Sequence, residues 1–379
     1  MDAISKLLAP RSVAVIGASA DPGKTAGRPV AYLQKHGFAG RIMPVNPKAE
    51  RIGDLPCYAD IASLPEVPDV AIVLLGAERA HLAVKELAAR GCAAAIVLAS
   101  GYTETGEEGA RRQKQLVEAA GAMRILGPNT IGLVNLTDKI VLSATGALEM
   151  EEFPVGGIGV VSQSGGILGS LLSRAAARGI GLSKLISTSN EVDLELADFI
   201  DHLADDPATQ VIALYVETVR NPAQFRAACL KAARAGKPLI SAAITQWEGQ
   251  LSLWHPATGG PCYECVCPTR PAPGMVPTCA EAGVAAPLPG VIGAMMAMEA
   301  VKHLTSAGAS LRGAVVIYDA LWGETRRIGT KPRSLLAKVA HAHALRFAQR
   351  VLKRLTSSAH KVTHTHEKVV EHARSKLPA

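Results

Sequence analysis

No run of 18 or more apolar residues occurs in the 379-residue chain, so no membrane-spanning helix is expected. The first twelve residues, broken by Asp2 and Lys6, lack the apolar stretch of an export signal. A disulfide framework is also missing. Cys57, Cys92 and Cys229 stand alone, while Cys262, Cys265, Cys267 and Cys279 cluster. Seven cysteines without an export signal predict reduced thiols and a cytoplasmic protein. With 48% hydrophobic and 19% charged residues, the composition excludes a collagen-like or wholly disordered chain. The length suits two or three packed domains.

The net charge of +7 is unevenly distributed. Residues 331–379 hold 11 Lys+Arg against 2 Asp+Glu, leaving 29 against 31 for residues 1–330. The same tail carries six of the eleven histidines. Such a break in composition marks a composite chain.

Buried-strand runs alternate with Ala-rich helical stretches through the first 140 residues. Ser12–Gly17, Arg41–Asn46, Val70–Leu75 and Ala94–Ala99 read as strands, with a helix near 28–36. Continuous apolar strands separated by helices predict a parallel sheet covered on both faces. Residues 156–245 repeat the rhythm: strands at 159–161, 185–189, 211–217 and 237–244, and helices at 164–178, 194–204 and 222–235. Residues 249–290, rich in Gly, Pro and Cys, read as loop. Residues 290–304 predict a helix apolar around most of its surface, hence buried. Residues 311–328 suggest a hairpin. No repeat of 20–50 residues is apparent.

Gly17-Ala18-Ser19 lies between a strand and a helix, where free N–H groups and a helix dipole suit a phosphate. It lacks the second glycine of the dinucleotide fingerprint. It also misses the Walker A spacing, because five residues separate Gly17 from Gly23-Lys24-Thr25. On this motif alone, a phosphate site and a tight sheet turn both remain open.

Five further motifs follow in order: Pro44-Val45-Asn46-Pro47, Ser100 to Glu104, Gly127-Pro128-Asn129-Thr130-Ile131-Gly132, Ser162-Gln163-Ser164-Gly165-Gly166 and Ser189-Asn190-Glu191-Val192-Asp193. Together, over about residues 5–240, the chain resembles the NDP-forming acyl-CoA synthetases and the succinyl-CoA synthetase α chain. The resemblance implies a Rossmann-like CoA-binding domain followed by a flavodoxin-like ligase domain. It further implies that Gly17, Ala18 and Ser19 meet the CoA phosphates and that Lys48 meets a phosphate. Val73 and Leu74 would flank the adenine, Ser100, Gly101, Tyr102, Thr103 and Glu104 would line the pantetheine path, and Asn129 would lie near the thiol. Thr130 stands where a cysteine is common, with little effect expected. Ser164, Gly165 and Gly166 would hold a histidine-borne phosphate, and Glu217 would orient that histidine. Without the resemblance, Glu217 reads as a solvated strand-end acid.

The phosphate-carrying histidine of such ligases is expected in a Ser-His-Thr-Gly loop after Lys237-Pro238-Leu239-Ile240. Here the sequence departs after Ile240. His255 lies near the right distance, but in a Trp-His-Pro context that favours a packed loop residue. No ATP-grasp segment is recognised, so a nucleotide would act only through a partner chain. The chain alone is expected to be catalytically incomplete.

Residues 237–329 change character. Cys262-Tyr263-Glu264-Cys265, Pro271-Ala272-Pro273-Gly274, Cys279-Ala280-Glu281-Ala282-Gly283 and Tyr318-Asp319-Ala320-Leu321 resemble the C-terminal part of the adenylyltransferases that activate sulfur-carrier proteins, without their ATP-binding half. The resemblance implies that Cys262 and Cys265 form half of a zinc site, whose second pair is missing; tetrahedral zinc needs four ligands. Reduced free thiols are the alternative. Cys279 would match a sulfur-handling cysteine, but an inert loop cysteine is preferred.

The tail predicts a basic amphipathic helix over 334–355, its stripe running from Leu335 through Val339 and Leu345 to Leu355, and a weaker helix from His364. Weak membrane-surface binding is compatible with it; no nucleic-acid motif is present. The expected organisation is an α/β chain. It comprises a CoA-binding domain (1–140), an incomplete flavodoxin-like domain (141–245), an adenylyltransferase-like segment (246–329) and a helical basic tail (330–379). Apolar surface left by the graft would be covered by the tail or by homo-oligomer formation. The functional alternatives are a catalytically incomplete acid–CoA ligase component, a non-catalytic CoA-binding or interaction protein, and an adenylyltransferase-like protein.

Overall fold

A computed structural model describes residues 2–261, 263–266 and 283–331. The expected helices of the tail and the Cys279 loop lie outside the described residues. The chain divides into two compact units, Met1–Glu217 and Thr218–Ala379.

The first unit opens with α1 (Ala3–Leu8), β1 (Ser12–Ile16), α2 (Arg28–Lys35), β2 (Arg41–Val45), the short pair β3 (Arg51–Ile52) and β4 (Leu55–Pro56), and β5 (Val70–Val73). It continues through α3 (Ala77–Ala89), β6 (Ala94–Val97), α4 (Glu107–Ala120) and β7 (Arg124–Leu126). Five of these strands form one sheet in the order β2-β1-β5-β6-β7, parallel throughout. Every residue of β1, β5 and β6 is buried, as strands covered on both faces must be. This is the expected Rossmann-like domain.

A second sheet follows within the same unit. Its strands are β8 (Gly132–Asn135), β9 (Ile140–Ser143), β10 (Val155–Ser162), β11 (Leu182–Ser187) and β12 (Val211–Tyr215), with α5 (Gly165–Ala176) and α6 (Leu196–Asp205) between them. The order β12-β10-β11-β8-β9 is parallel across β12, β10 and β11, then antiparallel. The β8–β9 hairpin was not read from the sequence. It belongs to this second sheet, so the domain boundary expected at residue 140 cuts through a hairpin. α6 starts with a capping box, Glu195 with Asp198, and buries Leu196, Phe199, Ile200 and Leu203 along one stripe.

The second unit comprises α7 (Pro222–Arg234), β13 (Leu239–Thr245), β14 (Glu248–Trp254), the single turn α8 (Tyr263–Val266), α9 (Leu288–Thr305), β15 (Ala314–Asp319) and β16 (Glu324–Gly329). Its strands run β13-β14-β15-β16, each pair antiparallel. Two expectations are corrected here. Residues 248–254 are strand rather than loop: Leu251 and Leu253 are buried against the sheet partners of β14. The helix at 288–305 is not buried all round. Leu288, Ile292 and Ala300 face inward, whereas Val291 and Met298 are exposed. Gly249 lets this helix approach, since a Cβ there would overlap the Ile292 side chain. Trp247, Leu321 and Trp322 are exposed at adjoining turns, where the Ala320 amide donates to Trp247 O at 2.8 Å. Of the three tryptophans, Trp254 alone is buried. Among the described residues, no helix is long and apolar enough to cross a membrane.

A buried ion pair fixes β11 to the loop after α6. Lys184 Nζ lies 2.7 Å from Asp206 Oδ2, with both side chains almost fully buried. Burial opposes ionisation of Asp206, but hydrogen bonds from Lys184 and Thr209 outweigh it and hold the carboxyl below its usual range. Its contribution to stability is present above the unfolded carboxylate value and is lost as pH falls through the depressed one. Asp206→Ala strands the Lys184 charge. It is expected to cost the first unit about 3–5 kcal/mol in denaturant-induced unfolding, whereas a loss below about 1 kcal/mol would show that Lys184 finds water.

Candidate functional site

The loops that follow β1, β6 and β7 carry most of the expected CoA contacts. Gly17 ends β1 at φ +82°, a conformation that glycine adopts without strain, and a Cβ there would stand 2.9 Å from Leu75 Cδ2. The backbone amides of this turn are not free. Gly17 and Ala18 both donate to Val45 O (2.9 and 3.2 Å), and Ser19 donates to Ala26 O (3.0 Å). This corrects the expectation of open N–H groups. In the parallel sheet the end of β2 lies beside the end of β1, and its last carbonyl takes both donors. Polar groups at this turn are therefore side chains. Ser19 Oγ accepts from the Asp21 amide and keeps its own proton to donate, and Lys24 and Lys48 are exposed. Asn46 ties the two strand ends, donating to Ala18 O at 2.7 Å and accepting from the Lys48 amide at 2.9 Å.

Val73, one of the two expected adenine neighbours, is fully buried in its strand, whereas Leu74, the other, is half-buried and its amide donates to Ile16 O. Val73 supports the sheet beneath.

The loop after β6 is organised by Glu104. Its Oε1 accepts from the amides of Gly101 (2.7 Å) and Tyr102 (3.1 Å), and its Oε2 accepts from Asn190 Nδ2 at 2.7 Å. Burial opposes its charge, yet these donors hold its carboxyl below the usual range. Ser100 and Thr103 are exposed and Gly101 is half-buried, but Tyr102 is fully buried. Tyr102 therefore props the loop from below, and burial pushes its phenol up to about 12. Asn129 follows a cis Gly127-Pro128 bond at φ +59°, its amide bound to Ala99 O and its Nδ2 3.4 Å from Asn190 Oδ1. Thr130 is buried. Its hydroxyl donates to Ser187 O at 2.6 Å and accepts from the Gly132 amide at 3.0 Å, two bonds that a cysteine would make poorly.

The second sheet contributes the start of α5. Ser164 is the N-cap, Gly165 packs against Ile131, and a Cβ on Gly166 would meet nothing within 4 Å. First-turn amides facing open space can take an anion. Glu217 lies beyond the end of β12 and is exposed; its amide donates to Gln163 Oε1 at 2.6 Å. Gln163, adjacent to the N-cap, thus fixes the chain at Glu217.

The Ser189 to Asp193 motif carries no individual roles in the sequence pattern. In the structure this loop joins the two sheets of the first unit. Asp193 takes Arg124 Nε on both oxygens (3.0 and 2.8 Å) and accepts the Ile125 amide (2.8 Å). Asn190 reaches Glu104, as above. Glu191 is buried, accepts the Leu196 amide at 3.0 Å and bonds Gln163 and Thr188. Ser189 and Glu191 have φ of +52° and +50°, a conformation costing on the order of 1–2 kcal/mol for each non-glycine residue. The missed signal is this run of polar residues directly after a buried strand.

His255 offers no exposed nucleophile. It is buried in the second unit, with Nε2 3.0 Å from Gly236 O, and burial lowers its pKa. Cys262 lies outside the described residues, and Cys265 is half-buried in α8. Among the described residues, no group of three or more metal-ligating side chains occurs, so zinc has no support there.

Residues 11–135 match the CoA binding domain family, residues 155–248 the succinyl-CoA ligase like flavodoxin domain, and residues 221–337 the ThiF family. Trans-feruloyl-CoA synthase FCS1 of an unknown prokaryotic organism is 38% identical over 62% of this chain and 34% of its own length. The alpha subunit of ADP-forming acetate–CoA ligase II from Pyrococcus furiosus is 34% identical over 61% of this chain and 50% of its own. A sulfur carrier protein adenylyltransferase of Thermus thermophilus is 47% identical over 24% of this chain and 36% of its own. The solved dinucleotide-forming acetyl-coenzyme A synthetase 1 of Ca. Korarchaeum cryptofilum, in complex with phosphate and ADP, superposes with a TM-score of 0.57. It is 28% identical and covers 61% of this chain and 49% of that one. The chain thus spans about a third to a half of the relatives it matches. Residues 11–135 have a Rossmann-like fold and match the CoA binding domain family, and the segments after them match the flavodoxin-like ligase domain and the ThiF family.

Two outcomes are expected from this geometry. Gly17→Ala introduces strain and a clash with Leu75, lowering stability by about 1–2 kcal/mol in thermal unfolding; an unchanged midpoint would mean the turn relaxes freely. Burial raises the Glu191 carboxyl above its usual value. Its favourable contribution is therefore complete below the unfolded value and declines as pH rises through the raised one. The stability gap between wild type and Glu191→Ala should shrink from pH 4.5 to pH 7.5. A widening gap would show that the charged form is the one the fold favours.

Proposed function

We propose that the first unit binds CoA or acyl-CoA as the α-type component of an NDP-forming acid–CoA ligase. The observation that carries this reading is the joint arrangement of the Gly17 turn, the Glu104-organised loop and Asn129 along the strand ends of one parallel sheet. The match of residues 11–135 to a CoA binding domain supports it. Lys48 and Ser19 would meet phosphates, Ser100 to Glu104 would border the pantetheine arm, and Asn129 would lie at its thiol end. Ser164, Gly165 and Gly166 would hold a phosphate, with Glu217 beside it.

The ligase cycle converts acid, CoA and NTP to acyl-CoA, NDP and phosphate. Its phosphoryl step needs a histidine nucleophile and a nucleotide site. The described residues present no exposed histidine near the start of α5, and His255 is buried in the other unit. This chain would therefore act with an ATP-grasp partner chain, or serve as a non-catalytic CoA-binding protein. The ThiF-like segment gives a second reading, an adenylyltransferase-like role, favoured only by the match over residues 221–337.

Calorimetric titration of CoA into the chain should give saturable binding near one per chain. Lys48→Ala should weaken it about tenfold, the loss expected for one charge-assisted phosphate contact. No binding by a cooperatively folded chain would overturn the reading. Phosphorylation of a histidine, or NTP synthesis by the chain alone, would overturn the expected incompleteness.

A further inference from the structure

The loop between β11 and α6 touches both halves of the proposed site through different atoms of neighbouring residues. On the CoA side, Asn190 Nδ2 donates to Glu104 Oε2 at 2.7 Å, and the Asn190 and Val192 amides donate to Pro128 O and Gly127 O at 3.3 and 3.1 Å. Asn129 Nδ2 reaches Asn190 Oδ1 at 3.4 Å. On the other side, the Thr188 amide donates to Ser162 O at 2.9 Å, and Glu191 hydrogen-bonds Gln163. The orientation of Gln163 follows. Its Oε1 already accepts the Glu217 amide at 2.6 Å, so its Nε2 is the group that donates to Glu191. Two hydrogen-bonded stretches, Glu104–Asn190 and Glu191–Gln163–Glu217 amide, thus meet at the peptide bond between Asn190 and Glu191 and connect the Ser100 to Glu104 loop to the backbone of Glu217.

The backbone is consistent with a tensioned connector. Ser189 and Glu191, on either side of Asn190, both take the left-handed conformation. They turn Asn190 toward one sheet and Glu191 toward the other.

We propose that Asn190, Glu191 and Gln163 are positioning residues that couple occupancy of the CoA site to the placement of Glu217 beside the start of α5. CoA seated against the Ser100 to Glu104 loop immobilises Glu104. Glu104 then holds Asn190, and the loop holds Gln163 against the Glu217 amide. The acid is fully placed only when CoA is bound. The inference rests on the CoA reading above.

Hydrogen exchange of the Glu217 amide tests it directly, in the full chain with and without saturating CoA. In the wild type, CoA should slow that exchange at least about fivefold, the lower end of ordinary coupling between sites. Asn190→Asp sets a second carboxylate against Glu104 and should abolish the slowing while CoA still binds. Glu104→Gln, measured at CoA concentrations that saturate it because Glu104 borders the proposed site, should also abolish the slowing. Combining Glu104→Gln with Asn190→Asp exchanges donor and acceptor and should restore it; recovery in the double variant is what a generally loosened fold would not show. Failure of CoA to bind wild type would sink the CoA reading itself. Binding without protection of Glu217, or protection that survives both single variants, would overturn the coupling alone.

Discussion

The first unit depends on one carboxylate. Asp193 grips both the Arg124 side chain and the Ile125 amide at the start of β7, so the loop leaving β11 cannot drift from the edge of the parallel sheet. A charge-assisted bidentate pair is directional as well as favourable. It fixes where the next few residues, Asn190 and Glu191 among them, must lie. The Gly17 turn and the expected adenine, pantetheine and thiol-end residues come from one sheet, the start of α5 from the other, and this clamp sets their common frame.

The buried strands were legible because runs such as Ser12–Ile16 and Val70–Val73, alternating with helical stretches, fit a parallel sheet covered on both faces. Short strands carrying polar residues were not. Gly132–Asn135 holds Asn135, whose Nδ2 donates to Asp138 nearby and to Leu8 O far away in sequence; the distant partner leaves no trace in the local pattern. Glu248–Trp254 reads as loop because Gly249, Gln250 and Ser252 interrupt it, yet Ser252 Oγ finds Ala314 O and Gly249 admits a helix. In the site, motif order located the loops but could not show which donors were already engaged. The Gly17 turn was placed correctly and its amides were misjudged, since their acceptor, Val45 O, lies almost thirty residues away in sequence.

The second unit has a different physical character. Residues 221–248 fall within both the ligase-like and the ThiF-like matches. They form a helix and a strand, α7 and β13, elements that serve either fold. After β13 the chain turns back as an antiparallel strand instead of crossing over by a helix. That single change of direction replaces a parallel continuation with a meander whose last strand, β16, has every residue exposed. Arg326 and Arg327 on this strand put charge where a bare edge would otherwise invite pairing.

The placement of the tryptophans has an optical consequence. All three lie beyond residue 217, so the first unit is silent to selective tryptophan excitation. Trp254 is shielded, while Trp247 and Trp322 are already in water in the folded chain. An emission change on denaturation therefore follows mainly the surroundings of Trp254, and a spectrum that looks native says nothing about the half of the molecule that carries the proposed CoA site.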